Sequence, residues 1–274
     1  MPPKPVRRNS KTSKKVPFYA SKKYLYYAIL VVLMIFVYSK RDAIAYHLSF
    51  KTDKIPYETR QAKLSEVIRA HNEKAFGIDI SEYQNRINWD ILSDLETGNP
   101  IEFIFIRATA GSNRIDSKFC KYWEKARETN MYQGAYHYYR PNENSIEQAN
   151  NYIKTVKLKR GDFPPVLDIE KLPRHQSIDS LKVGLKRWLK KVENHYGVKP
   201  IIYSSESYYN DFLKDDFEEY PFWVANYTAF YYDINSNWSM WQISENAKIE
   251  GIRGRVDINV FNGTTSDLKA LLMK

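Results

Sequence analysis

Residues 165–170 read Pro165-Val166-Leu167-Asp168-Ile169-Glu170. A proline, two apolar residues and then alternating acid and aliphatic is the pattern of a buried strand that reaches water at its end. Side chains two apart on a strand share a face, so Asp168 and Glu170 project together from that end. Two carboxyl groups held side by side raise each other's proton affinity, which suits one of them to act as a general acid near neutral pH. By itself so short a pattern also fits a solvated acidic pair. The surrounding sequence has to decide.

Working outward, short β-like runs recur at Ala75–Ile80, Ile101–Ala108, Gly134–Tyr138, Pro200–Tyr203, Phe222–Ala225, Met240–Ile243 and Asp257–Phe261. Between the earlier ones lie amphipathic helices. In Ser145–Val156, Ser145 and Gln148 read as a capping box ahead of the stripe Ala149, Tyr152, Ile153 and Val156. In Asp179–Tyr196 the stripe is Leu181, Leu185, Trp188, Leu189 and Val192, stopped by Gly197. Phe119, Trp123 and Ala126 mark a third helix. Between Phe222 and Phe261 the connections are too short or too polar for full helices. Eight strands with fewer than eight helices predict an α/β fold, an irregular (β/α) barrel in which active sites gather at the C-terminal strand ends.

Two more acids fit that frame. Asp79 ends the first strand in Phe76-Gly77-Ile78-Asp79, and Asp257 opens the last in Val256-Asp257-Ile258-Asn259. In a closed barrel the first and last strands are neighbours, so both acids are expected on one mouth with Asp168 and Glu170. Tyr136, Tyr138, Tyr203, Trp223 and Trp241 fall at or near strand ends. They read either as barrel packing or as platforms and donors for a sugar, with Gln242 beside them. His137 reads as a satisfied structural histidine or as a donor supporting Tyr136.

The net charge of +10 has a location. Eight Lys and Arg residues and no acid lie within residues 1–23, leaving +2 for the rest of the chain. Tyr24 to Ser39 follow without a charge, bounded by Lys22-Lys23 and Lys40-Arg41. This pattern predicts a basic cytoplasmic tail (1–23), a transmembrane signal-anchor helix (24–39), a polar linker (40–74, helical around Thr59 to His71) and an exported domain (75–274). A cleavable signal peptide ending near Ala43-Ile44-Ala45 is the alternative, and a buried helix a third. Charge confined to the tail speaks against a nucleic-acid partner. A single cysteine, Cys120, excludes an intrachain disulfide, and five His leave no visible metal-ligand cluster. No cofactor is expected. Oligomeric state is not legible.

Gly77-Ile78-Asp79-Ile80-Ser81 with Gln84 and Trp89 resembles the opening signature of glycoside hydrolase family 25, the Chalaropsis-type lysozymes. Phe105-Ile106-Arg107-Ala108-Thr109, Gly134-Ala135-Tyr136-His137, the 165–170 strand, Trp223-Val224-Ala225-Asn226-Tyr227, Trp241-Gln242 and Asp257-Ile258-Asn259 fit the same family in order. The resemblance implies hydrolysis of the β-1,4 bond between N-acetylmuramic acid and N-acetylglucosamine in peptidoglycan. It implies Glu170 as general acid/base, Asp168 as its partner, and Asp79 and Asp257 lining the groove. Many relatives carry a Lys and a Glu where this chain has Arg107 and Ala110. Two other readings are a silent wall-binding scaffold, which has no reason to keep both acids, and a chitinase-like hydrolase. The latter usually shows a D-x-D-x-E run, whereas Val166 stands at its first position here.

Overall fold

The alternation along each strand builds the barrel seen in the computed structural model, which describes residues 18–39, 57–227, 234 and 237–274. The strands are β1 (Phe76–Ile80), β2 (Ile101–Ala110), β3 (Arg114–Ile115), β4 (Tyr132–Tyr138), β5 (Val166–Asp168), β6 (Ile201–Ser205), β7 (Phe222–Ala225), β8 (Met240–Ala247) and β9 (Val256–Phe261). The sheet order is β1-β9-β8-β7-β6-β5-β4-β2-β3, and β1 also pairs with β2. Eight strands thus close on themselves, while β3 is a short hairpin arm on β2. From β1 through β8 every neighbour in the ring is parallel, but β9 is antiparallel to both β8 and β1. The direction of that last strand was not readable from the sequence, and it matters below.

Alternate residues face inside and outside, and each set builds its own core. Phe103, Phe105, Val166, Ile201, Tyr203, Trp223, Met240 and Phe261 fill the interior. Ile78, Ile104, Ile106, Leu167, Ile202, Val224, Trp241 and Ile258 pack outward under the helices. The helices supply matching stripes: α3 (Phe119–Arg127), α4 (Ser145–Thr155) and α5 (Ile178–Tyr196), the last ended by Gly197 at φ 73°. The expected capping box on α4 is replaced by a different cap. The Asn144 side chain accepts from Ile146 N and Glu147 N. Ser145 and Gln148 are buried instead, and Gln148 hydrogen-bonds Arg140 and Glu143.

Helical turns also occur where no helix was expected. Glu206–Tyr208, a π-helical turn Tyr209–Leu213 and Lys214–Phe217 link β6 to β7, and Thr265–Leu271 follows β9. The helix foreseen in the 40–74 segment is α2 (Tyr57–Ala70), and its Leu64 and Ile68 are buried in the outer core. The last part of that segment therefore contributes packing, while residues 40–56 lie outside the described residues.

The chain divides into two units, residues 1–47 and 48–274. The described element of the first is α1 (Phe18–Ser39), a continuous helix over the uncharged run whose side chains from Tyr24 to Tyr38 include many exposed apolar groups. Among the described residues no helix is long and apolar enough to cross a membrane. Sixteen uncharged residues rise about 24 Å, against roughly 30 Å of bilayer hydrocarbon.

Two glycines let aromatic rings cross the barrel floor. A Cβ on Gly77 would lie 2.2 Å from the Phe103 ring, and one on Gly134 2.2 Å from the Phe105 ring. Both rings are wedged among other buried aromatics, with Phe105 4.6 Å from Trp223 and 4.7 Å from Phe163 between centroids. Overpacking such a site costs about 1–3 kcal/mol. Gly134→Ala is therefore expected to lower stability by about that amount in denaturant titration, and an unchanged midpoint would show that the floor can yield.

Candidate active site

The acids converge because of strand parity and strand direction together. Asp168 ends β5 facing inward, and Glu170, two residues on, faces the same way at the mouth. Asp79 faces inward near the end of β1, directly across from Asp257 of β9. Since β9 is antiparallel, its beginning lies at the same mouth where β1 ends. All four acids thus share one opening.

Their environments differ. Asp79 is buried and accepts hydrogen bonds from Gln242 Nε2 (2.6 Å) and Asn259 Nδ2 (2.8 Å). Asp257 also hydrogen-bonds Asp79, and burial next to that charge pushes the Asp257 carboxyl well above the ordinary range. Gln242 Nε2 also reaches Asp257 Oδ2, at 3.5 Å, but the two short amide bonds go to Asp79 and favour its carboxylate form relative to that of Asp257. Burial still raises Asp79, with the donors working against it.

Asp168 is buried, and its Oδ1 has no hydrogen-bond partner among the described residues. Burial, then the charges of Glu170 and Asp79, push it well above the usual carboxylate value. Glu170 is only partly buried. Desolvation lifts it to about 7, Asp79 and Glu245 also raise it, and Lys171 and Arg107 oppose the shift.

The polar network reaches downward from Asp79. Tyr203 Oη donates to Gln242 Oε1 at 2.7 Å, and the Tyr227 hydroxyl bonds the same oxygen. Trp223 Nε1 donates to Asn259 Oδ1 at 2.8 Å. These bonds fix the two amides whose N–H groups hold Asp79. Tyr136 and Tyr138 face the opening and are partly exposed. The charges of Asp79 and Asp168 act on Tyr136, and those of Glu170 and Asp168 on Tyr138.

Two expected sugar contacts are corrected. Trp241 faces outward, packed 6.0 Å from Trp238 and 6.0 Å from His71, with Nε1 donating to Asn226 O. Adjacent strand residues cannot both face inward, and in β8 it is Gln242 that does. Trp223 does face inward, but it is buried beneath the network and serves as floor. His137 faces outward as well, where it is a satisfied structural histidine. It is buried between Thr109 Oγ1 (2.7 Å) and Gln148 Oε1 (3.1 Å) and stacks on Trp188. Burial lowers it to about 4, so it stays neutral.

Sequence reading missed Asn259 and Tyr227, although the two-residue spacing from Asp257 and from Ala225 pointed to both. It also missed what surrounds Arg107. That guanidinium pairs with Asp116 at 2.9 Å and Glu82 at 3.4 Å, and lies 4.7 Å from the Tyr83 ring. No local pattern connects those four positions. Among the described residues there is no group of three or more His, Cys, Asp or Glu side chains arranged to hold a metal.

The sequence and the fold both have relatives among known proteins. The chain matches the model for glycosyl hydrolases family 25 over residues 78–252. It is 40% identical over 198 residues to the protein YegX of Escherichia coli strain K12, spanning 72% of each chain. It is 30% identical over 210 residues to lysozyme M1 of Streptomyces globisporus, covering 71% of this chain and 70% of that one. A family 25 glycosyl hydrolase from Bacillus anthracis superposes with a TM-score of 0.66 at 28% identity, covering 74% of this chain and 95% of that chain. The chain belongs to glycosyl hydrolases family 25 and is a glycoside hydrolase of the lysozyme type.

Proposed function

We propose that the chain hydrolyses the β-1,4 bond between N-acetylmuramic acid and N-acetylglucosamine in peptidoglycan, with Glu170 as general acid/base and Asp168 assisting. The observation that carries this reading is the asymmetry of the pair. Glu170 stands at the mouth with its proton affinity lifted to about 7, while Asp168 is buried with an unpartnered Oδ1. Burial pushes both acids up, so together they hold a proton near neutral pH. A substrate acetamido N–H donated to Asp168 Oδ1 supplies the missing partner and favours Asp168 as the carboxylate. The proton then resides on Glu170, which gives it to the glycosidic oxygen as the C–O bond breaks. Glu170, now a carboxylate, takes a proton from the incoming water. Asp79, held by Asn259 and Gln242, keeps negative charge close to the developing cation.

We further propose that α1 tethers the enzyme to a membrane, with residues 1–23 cytoplasmic and the barrel extracytoplasmic. The support is the exposed apolar run with Lys22-Lys23 before it and Lys40-Arg41 after it. Snorkelling lysines and end tyrosines compensate for the short span.

Four outcomes are expected. Digestion of purified peptidoglycan followed by borohydride reduction should yield reduced muramic acid, whereas reduced glucosamine would assign a different bond. Glu170→Gln should lower kcat by about a thousandfold while glycan binding persists, since general acid–base catalysis typically supplies about 10²–10⁴-fold; an active variant would sink the assignment. Because Glu170 acts protonated, kcat/KM should fall as pH rises through about 7. In cells the protein should resist carbonate extraction from membranes, and recovery in the soluble fraction would point to a cleaved signal peptide instead.

A further inference from the structure

Beside the acidic opening lies a cationic cleft with no role in the chemistry above. The loop after β1 and the loop before β9 are latched together by backbone. Asn88 N donates to Gly251 O at 2.7 Å, Arg253 N donates to Arg86 O at 3.3 Å, and Ile87 and Ile252 form an antiparallel bridge. Gln84 Nε2 adds a bond to Arg255 O at 3.0 Å. The latch needs a glycine: Gly251 has φ 90°, and a Cβ there would sit 2.7 Å from Asn88 O. In such a pairing the residues flanking the bridge point to the opposite face from it. Ile252 is buried, so Arg86 and Arg253 stand opposite one another on the outer face, both exposed.

Like charges directly opposite on paired strands repel. Neither arginine makes a salt bridge among the described residues, although the fold sets them side by side by backbone bonds. Together with Ile87, Asn88 and Gly251 they line a cleft of about 380 Å³ that contains no acid. Arg255 does not line this cleft; it is held over the Tyr57 ring at 4.2 Å, with Nη1 donating to Asn246 O at 2.9 Å, in a neighbouring hollow that includes Glu96 and Glu250. Two residues beyond Arg255 is Asp257. Four residues of extended chain put Arg253 at most about 13 Å from Asp257.

We infer that this cleft binds carboxylates of the peptide stem carried by the muramic acid of the substrate, resting on the muramidase reading above. The guanidinium fork suits a carboxylate, and a pair of them can clamp one that a single cation in water holds poorly. A stem of two to four residues, rising about 3.3 Å per residue, spans the distance from the groove to the cleft. The interior acids then handle neutral sugars, while the arginines read the anionic branch.

The test compares the full chain in detergent with the double variant Arg86→Ala/Arg253→Ala and the charge-keeping Arg86→Lys/Arg253→Lys. Three substrates are used: peptidoglycan with free stem carboxylates, the same material with those carboxylates amidated, and glycan strands stripped of stems. On stem-bearing material the alanine variant should lose about tenfold in kcat/KM through KM, with the lysine variant intermediate. Wild type should lose a similar factor on amidated material. On stripped glycan all three proteins should be equal, which also shows that the variants are folded. An equal loss on stripped glycan, or no loss on stem-bearing material, would overturn the proposal. Wild type inactive on every substrate would overturn the muramidase reading, and this proposal with it.

Discussion

The pairing of β9 with β1 is the constraint on which the site depends. It closes the barrel and, because it is antiparallel, sets Asp257 against Asp79 at the mouth. With β9 parallel, the start of that strand would lie at the opposite end, and the groove would lose both Asp257 and the Asn259 amide that holds Asp79. The same pairing stations Arg255 and the latched arginine loop next to the opening. Strand direction, a property of the chain path, thus decides the composition of the site.

Dryness follows from the floor. Phe103, Phe105, Phe163 and Trp223 occupy the interior below the acids and are packed ring against ring. No water shell is available to the carboxyl groups on that side, so ionisation of Asp168, Glu170 and Asp257 is disfavoured. Asp79 is the exception that donors partly rescue, through amides themselves fixed by Tyr203, Tyr227 and Trp223. Four acids of similar sequence context therefore come to hold protons differently. The division between a proton donor and a charge stabiliser is a product of burial and of hydrogen bonds made across the barrel.

Much of this was legible locally. The eight closing strands fall close to the apolar runs, and the inward direction of Asp168, Glu170 and Gln242 follows from a period of two. The same period excludes Trp241 once Gln242 is inside, and it includes Asn259 once Asp257 is. Both follow only when a strand-end residue is paired with its neighbours along the strand, since its position at the end does not by itself fix which way it faces. The α4 cap was misread for a different reason. Gln148 has the composition of a capping residue, but its side chain turns to the backbone of Arg140 and Glu143 in the preceding loop, whose path no helical spacing records.

What the sequence by itself determined is the barrel, its strand order of appearance and the shared face of Asp168 and Glu170, since these rest on side-chain alternation and on apolar runs that any strand or helix must bury. The tertiary structure decided the rest. The direction of β9, the partners of Arg107 and the facing of Arg86 against Arg253 all join residues far apart in the chain. Contacts of that kind are set by how the sheet closes, and no local spacing records it.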